Sequence, residues 1–271
     1  MRCDLLTRAL ARTYSRIVMQ RPPGRRSPPV LFTRSSNEWV NKVNQRHKEF
    51  SELTLSSEQK DNLDRWAETE FIYATLELDG IKASRDLIAR IISSASTDES
   101  SLVIVNLLNA VRAVERVARA DGRAAQLTPD LLIQLHEGAG DANGFRKSAG
   151  NTSRLIKPVP AEHLCAAIES ACLWFTAESF AELNPIEQAS IVYFRLIEIQ
   201  PFEQATERTA LVAASLFTLR SGLPLIIIRP ELDQAFRAAL DEGAQMNTRP
   251  MVELIAEAIE QTLTEMIKKE G

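Results

Sequence analysis

One stretch of the chain has residue types suited to phosphate chemistry, IQPFEQATERTALVAASLFTLR at residues 199–220. A Pro-Phe turn leads into polar residues and then directly into a helical pattern. A helix N-terminus presents unpaired backbone N–H groups and the positive end of the helix dipole, which together favour anions. Loops that hold phosphate at such a position are usually rich in glycine, and this turn has none. A phosphate here would meet side chains first.

Charged side chains surround this helix start. Glu207 puts a negative charge into the predicted first turn, where the dipole would otherwise attract phosphate. Two like charges about 4 Å apart at an effective dielectric near 20 repel by roughly 4 kcal/mol, which weakens nucleotide binding about a thousandfold. Arg208 offers an anion contact, but we expect it to pair with Glu203 or another local acid. The carboxylate at position 207 could alternatively act as a base or a metal ligand.

The same stretch resembles the Fic (Fido) domain family, whose signature at this helix start is H-P-F-x-[D/E]-G-N-G-R-x-x-R. The chain reads QPFEQATERTAL and keeps Pro201, Phe202 and Arg208. Three further stretches look like family elements in the same order. GFRKSAGNTSRLIKPVPAEHLCAAIESACLWF resembles the glycine-x-x-arginine motif, the target-docking flap and the helix that follows. NPIEQASIVYFRLIEIQPF and RTALVAASLFTLRSGLPL resemble the helices on either side of the signature, so the resemblance spans about residues 56–245.

The resemblance also assigns family roles to positions that have changed. Gln200 stands at the catalytic histidine, Gln204 at the metal-binding acid and Leu211 at the second arginine. The glycine-asparagine-glycine phosphate cradle corresponds to Ala205, Thr206 and Glu207. In the flap, the corresponding residues are Arg146, Leu155 and Ile156. The stretch TLELDGI is similar to the inhibitory motif [S/T]-x-x-x-E-[G/N], filled here by Thr75, Asp79 and Gly80.

Active members of this family transfer AMP, or another phosphate-containing group, from a nucleotide to a protein hydroxyl. Gln200 has no basic nitrogen near neutral pH, and loss of a general base typically costs about 10² to 10⁴ in rate. Gln204 offers a neutral carbonyl where Mg²⁺ prefers a carboxylate. In inhibited members the motif glutamate pairs with the second signature arginine. With Asp79 and Leu211 at those two positions, we expect no such ion pair in this chain.

We therefore predict a catalytically impaired Fic homologue that acts through protein binding, with the flap at residues 144–158 as an edge for β-strand addition. Two alternatives stay open, a divergent transferase that uses another phosphate-containing donor and an antitoxin-like regulatory module. We expect no cofactor and no metal, with ATP and Mg²⁺ bound only if the cleft still functions. A homo-oligomer stays open. We expect no membrane partner and no nucleic acid on the main body.

Composition places the main body among soluble proteins, because no apolar run approaches the roughly 20 residues of a membrane-spanning helix. Three cysteines without CxxC spacing favour a reducing, cytoplasmic setting, with Cys165 and Cys172 as small buried apolar residues. Residues 1–36 contain eight arginines and one acidic residue, which give a net charge of +7. Since the whole chain has a net charge of −4, the remaining residues have a net charge of −11. This leader is interpreted as a disordered or wrongly assigned extension, with a targeting peptide or a nucleic-acid-binding arm as alternatives. The three histidines show no metal spacing, and we assign them no role.

The periodicity predicts an all-α fold with a small β-hairpin-like flap, and the resemblance implies that this is a Fic helical domain. Ser56 with Gln59, Thr128 and Asn184 have the spacing of helix N-caps. Helices are predicted at about 56–79, 84–92, 98–120, from 128 onward, 161–177, 185–198, 207–221, 231–242 and 249–268. The predicted organisation is a leader at 1–36, N-terminal helices with the degenerate inhibitory motif at 37–98, the Fic core at 99–245 and a C-terminal helix at 246–271.

Overall fold

The computed structural model describes residues 38–94, 102–139, 144–150, 157–245 and 247–270. These residues form α-helices joined by short turns, and they contain no strand, so the all-α prediction is confirmed. The helices are α1 (Glu38–Ser51), α2 (Ser57–Leu78), α3 (Arg85–Ser94), α4 (Leu102–Asp121), α5 (Pro129–Ala139), α6 (Leu164–Trp174), α7 (Glu178–Ala181), α8 (Pro185–Ile199), α9 (Thr206–Leu219), α10 (Asp233–Ala244) and α11 (Arg249–Glu270).

The predicted helix starts are confirmed at the level of individual hydrogen bonds. Ser56 and Gln59 form a reciprocal capping box, in which each residue's backbone N–H donates to the other's side-chain oxygen at 2.9 and 3.2 Å. Asn184 and Glu187 form the same arrangement at the start of α8. The Thr128 hydroxyl accepts the Leu131 N–H at 3.1 Å. Such caps satisfy backbone donors that a helix start would otherwise leave unpaired.

Two helical details differ from the predictions. The helix α1 was not predicted as a separate element, and it packs on α11 with Arg46 3.1 Å from Glu260. The predicted helix at 161–177 begins with a 3₁₀ turn and ends early, at Trp174. It ends there because the Thr176 N–H and hydroxyl both donate to the Leu173 carbonyl, which closes a turn.

The helix α9 lies at the centre of the core. Every residue from Thr209 to Thr218 is buried, and the helix packs against α8, α4 and α5. A helix that is enclosed on all sides needs a small or apolar surface throughout, which explains the run TALVAASLFT. The loop that joins α8 to α9 is therefore held between two tightly packed helices.

The prediction that Cys165 and Cys172 are buried is confirmed for Cys172 alone. Cys172 is buried in the core, and burial raises the pKa of its thiol to about 12, so the group stays protonated. Cys165 is only half-buried. Among the described helices, none combines the length and the hydropathy needed to span a bilayer.

Candidate functional site

The loop at residues 200–205 keeps a backbone that glycine would favour, although it contains no glycine. Gln200 follows α8 with φ 48° and ψ 68°, and Ala205 precedes α9 with φ 54° and ψ 18°. Both are left-handed conformations, which cost an L-residue about 1–2 kcal/mol. The residue types at both positions favour other backbone regions, and only the family glycine at the position of Ala205 hinted at such a backbone.

A residue of this loop, Phe202, packs on a buried histidine ring. The ring of Phe202 stacks on His136 with centroids 3.6 Å apart and planes 9° from parallel. The Nδ1 atom of His136 lies 3.2 Å from the Thr209 hydroxyl, which donates its own hydrogen to the Ala205 carbonyl at 2.9 Å. The Thr209 hydroxyl thus bridges the imidazole of His136 and the carbonyl of Ala205. Sequence analysis assigned no role to His136, and its position on the apolar side of α5 between buried leucines gave no hint of one.

Arg146, which the sequence placed at the base of the flap, is buried and binds backbone carbonyls. Its guanidinium donates to the carbonyls of Gln200, Ile199 and Val159, and its backbone N–H donates to Pro201 at 2.9 Å. The carbonyls at the end of α8 have no partners within the helix, so this side chain satisfies them. The described base of the flap is thereby fastened to the loop at the α9 start.

Glu203 also fastens the flap base to this loop. Its carboxylate accepts the backbone N–H groups of Lys147 and Ser148 at 3.0 and 3.1 Å and the Ser148 hydroxyl at 2.6 Å. The hydrogen bond from the Ser148 hydroxyl, followed by those from the two N–H groups, lowers the pKa of Glu203, which therefore stays ionised. The pairing of Glu203 with Arg208 that the sequence suggested is not formed.

The partner of Arg208 is instead Asp79, directly after α2. The Nε atom of Arg208 lies 3.2 Å from Oδ2 of Asp79, and the two side chains are 15% and 22% exposed. The ion pair with the second signature position cannot form, because Leu211 stands there, but Asp79 pairs with the first signature arginine, a contact that the sequence did not predict. Asp79 reaches the first signature arginine, while Leu211 at the second arginine position is buried in the core. Burial raises the pKa of Asp79, and Glu207 acts in the same direction, while the charge of Arg208 opposes them.

These residues surround a pocket of about 310 Å³ at the N-terminus of α9. Its lining residues are Asp79, Ile81, Ile197, Gln200, Phe202, Glu203, Gln204, Ala205, Thr206, Glu207 and Arg208. The volume lies at the lower end of the range for small-molecule sites. With three carboxylates and one guanidinium, the lining has a formal charge of −2. Within the described part of the chain, no cluster of three or more His, Cys, Asp or Glu residues is arranged to hold a metal ion.

Residues 126–218 match the model of the Fic/DOC family. This part of the chain is a Fic domain. The match includes Arg146, the whole of α8, the loop at the α9 start and α9 up to Thr218.

Curated relatives of the Fic domain are protein adenylyltransferases. Protein adenylyltransferase fic-1 of Caenorhabditis elegans is 25% identical over 147 residues, which make up 52% of this chain and 29% of that protein. Protein adenylyltransferase Fic of Nematostella vectensis is 24% identical over 147 residues, 52% of this chain and 34% of that protein. Protein adenylyltransferase Fic of Drosophila melanogaster is 26% identical over 119 residues, which make up 44% of this chain and 24% of that protein. The match thus covers only about a third or less of each relative.

Solved structures share the fold over a longer part of the chain. Residues 134–508 of Fic-1 from C. elegans superpose with a TM-score of 0.73 and 21% identity, covering 85% of this chain and 70% of that one. A Fic-domain-containing signalling protein of Bacteroides thetaiotaomicron gives a TM-score of 0.74 and 19% identity, covering 84% and 96%. At these identities, the likeness establishes the fold alone.

Most of the family positions predicted from the sequence meet at one place in this Fic domain. Gln200, Phe202 and the residues from Gln204 to Arg208 line the pocket together with Asp79. Gly80 ends α2 with φ 77°, and Thr75 is buried within that helix. Of the flap residues, Leu155 and Ile156 lie outside the described residues, so the predicted hairpin stays a prediction.

Proposed function

We propose that this Fic-domain chain no longer transfers AMP and instead functions by binding another protein. The observation that supports this most directly is the charge of the pocket at the α9 start. Three carboxylates and one guanidinium line the space where the family resemblance would put nucleotide phosphates. The phosphates of a nucleotide do not fit this acidic lining.

The electrostatics of the α9 start disfavour a bound nucleotide. Glu207 lies in the first turn of α9, where its charge offsets the attraction of the helix N-terminus for anions. The hydrogen bonds of Glu203 come from neutral donors, and the charge of Arg146 lowers its pKa less than these bonds do. Each carboxylate about 4 Å from a phosphate would oppose binding by roughly 4 kcal/mol at an effective dielectric near 20. Micromolar nucleotide binding would not survive such a penalty.

The side chains at the family's catalytic positions are also unsuited to AMP transfer. Arg208 is already paired with Asp79, so a phosphate would have to displace a carboxylate that shares its burial. Gln200 carries an amide where proton abstraction would need a basic nitrogen. Gln204 is exposed and neutral. The side chains at the α9 start thus supply neither a general base nor a metal-binding acid at the family positions.

The domain retains an ordered loop at the α9 start and a flap base bonded to it. The loop keeps its left-handed turns at Gln200 and Ala205, and Arg146 holds the flap base against it. A rigid loop and flap base remain useful for presenting a surface to a partner protein. We propose the flap edge as one such surface, and a reducing, cytoplasmic setting in which the thiol of Cys172 stays buried.

Calorimetric titration of the full chain with ATP, ADP, CTP and CDP-choline, each with and without Mg²⁺, tests this proposal. We expect no binding, and no transfer of label from radioactive ATP to any protein in a cell extract. Micromolar affinity for any of these nucleotides, or transfer of the label, would favour the divergent transferase instead.

A restored variant serves as the matched positive control. It carries Gln200→His, Gln204→Asp, Ala205→Gly, Thr206→Asn and Glu207→Gly, and it leaves the buried Leu211 unchanged. We expect this variant to bind ATP with Mg²⁺, because the backbone of the loop already has the required shape. A version that keeps Gln200 should bind ATP without transferring AMP. Failure of the folded restored variant to bind any nucleotide would count against the assignment of the pocket as the nucleotide site.

A further inference from the structure

Two adjacent apolar side chains are exposed at the end of α6. Leu173 is 73% exposed and Trp174 is 39% exposed, and we call this pair the α6-end patch. Among the described residues, the other strongly exposed large apolar side chain is Leu102 on α4. Isolated apolar residues are common on protein surfaces, whereas adjacent large ones are characteristic of interaction sites.

The patch is held rigidly by the structure beneath it. The Trp174 ring stands edge-on to Phe180 with centroids 5.3 Å apart, and it lies 5.8 Å from the ring of Phe175. Both phenylalanines are buried. The backbone at Leu173 is fixed by the two hydrogen bonds from Thr176. An anchor that is already ordered loses little conformational entropy when a partner covers it, which is typical of the tryptophans that dominate binding interfaces.

The segment of the chain that carries the patch has acidic residues and no lysine or arginine. Residues 158–194 contain no lysine or arginine, and their acidic residues are Glu162, Glu169, Glu178, Glu182 and Glu187. Glu187 caps α8, while Glu178 and Glu182 are exposed on the segment that follows the patch. Glu169 is half-buried and lies one helical turn before Leu173, on the same side of α6. An apolar centre with an acidic rim matches a partner with apolar side chains flanked by basic ones.

We propose that the α6-end patch binds a basic amphipathic segment of a partner protein. Apolar side chains of that segment pack on Leu173 and Trp174, and its lysines or arginines face Glu169, Glu178 and Glu182. The same glutamates repel nucleic acids and anionic lipid surfaces, which leaves protein as the partner class. This inference rests on the proposed binding function, but its residues are separate from the pocket at the α9 start.

Two fluorescent peptides of equal length test the proposal on the full chain. One contains leucine and lysine, the other leucine and glutamate, with the same helical spacing of leucines. In fluorescence anisotropy we expect the leucine-lysine peptide to bind and the leucine-glutamate peptide not to bind. Raising the salt to about 0.5 M should weaken the binding, since rim charges are screened at that ionic strength. We expect Leu173→Ser to weaken it about tenfold, the loss for one well-packed apolar contact.

Matched variants separate this site from general attraction between opposite charges. Glu178→Lys with Glu182→Lys should weaken binding about tenfold, whereas Glu58→Lys with Asp61→Lys makes the same change in net charge on α2 and should leave it unchanged. Leu102→Ser should also leave it unchanged. Equal binding of both peptides, or equal losses in the control variants, would overturn the proposal.

A second copy of this chain is the competing occupant. If sedimentation shows a dimer that Leu173→Ser dissociates, the patch is a self-association surface and the proposal is wrong. The nucleotide titrations decide the loss of AMP transfer independently. Nucleotide binding would refute the proposed function without affecting the peptide result, and failure of the peptide test would leave the loss of AMP transfer intact.

Discussion

Glu115 provides the sharpest test of the electrostatics of this fold. It lies on α4 in a cluster of charged side chains that α2 and α4 share, and its side chain is 13% exposed. Its nearest cation, Arg119, is 3.8 Å away and is already 2.8 Å from Asp64. The neighbouring carboxylate of Glu68 is held by two hydrogen bonds from Arg112, at 2.7 and 3.0 Å. The remaining charged residues of the cluster are Asp61, Arg65 and Arg116.

An ionised Glu115 is therefore buried without adequate compensation. Burial, followed by repulsion from Glu68, raises the pKa of Glu115 from 4.5 to about 7, while Arg119 and Arg112 oppose the rise. In the unfolded chain this carboxyl loses its proton near pH 4.5, but in the folded protein it keeps the proton up to about pH 7. Between these values the folded state binds more protons, so the free energy of unfolding falls as the pH rises through this window.

The size of the effect follows from the difference between the two pKa values. At about 1.4 kcal/mol per pH unit, the folded protein loses roughly 3 kcal/mol of stability from Glu115 between pH 4.5 and pH 7. The variant Glu115→Gln removes the ionisation. We expect it to be more stable than the wild type by less than about 1 kcal/mol at pH 5 and by about 2–3 kcal/mol at pH 8, allowing for the lost contact with Arg119.

Urea denaturation of both proteins from pH 5 to pH 8.5, followed by circular dichroism, measures this difference. Other groups also titrate in this range, so the relevant quantity is the difference between variant and wild type at each pH. The exposed Glu58 on α2 provides the control, and Glu58→Gln should give a difference that does not change with pH. A variant at Glu115 with the same pH profile as the wild type would refute this account of the buried charge.

Two predictions concern the loop at the α9 start. Ala205→Gly should stabilise the protein by up to about 1 kcal/mol in urea denaturation, because glycine adopts the left-handed conformation without strain. The greater conformational freedom of glycine in the unfolded chain offsets part of this gain. A loss of stability would mean that the turn is not strained. Thr209→Val removes the hydroxyl between His136 and the Ala205 carbonyl, and it should cost about 1–3 kcal/mol and shift the imidazole nitrogen resonance of His136. Thr209→Ser keeps the hydroxyl and should preserve that resonance.

Local features of the chain were readable from the sequence. The capping residues Ser56, Thr128 and Asn184 act on backbone groups two or three positions away, so their spacing alone specified where helices begin. The order of helices and the remnant of the signature were enough to predict a Fic fold. The helix α1 was missed, because few of its residues are apolar and its place depends on α11.

The arrangement of side chains in the pocket was decided by tertiary structure. Asp79 and Arg208 are far apart in the chain, and their pairing depends on where α2 ends relative to α9. The sequence suggested Glu203 for Arg208 because Glu203 is near in the chain, but the flap base offered that carboxylate three donors instead. Proximity along the chain is a poor guide once two folded segments bring better-placed donors together.

The sequence by itself determined that this chain is helical, where most of its helices begin and which family positions have changed. Only the tertiary structure showed that the loop keeps left-handed turns without glycine, that His136 supports it and that Asp79 neutralises Arg208. The reason is physical, because helix propensity and capping depend on neighbours within a few residues. Ion pairs, ring stacking and the pKa of a buried carboxyl depend instead on distances that packing sets between residues far apart in the chain.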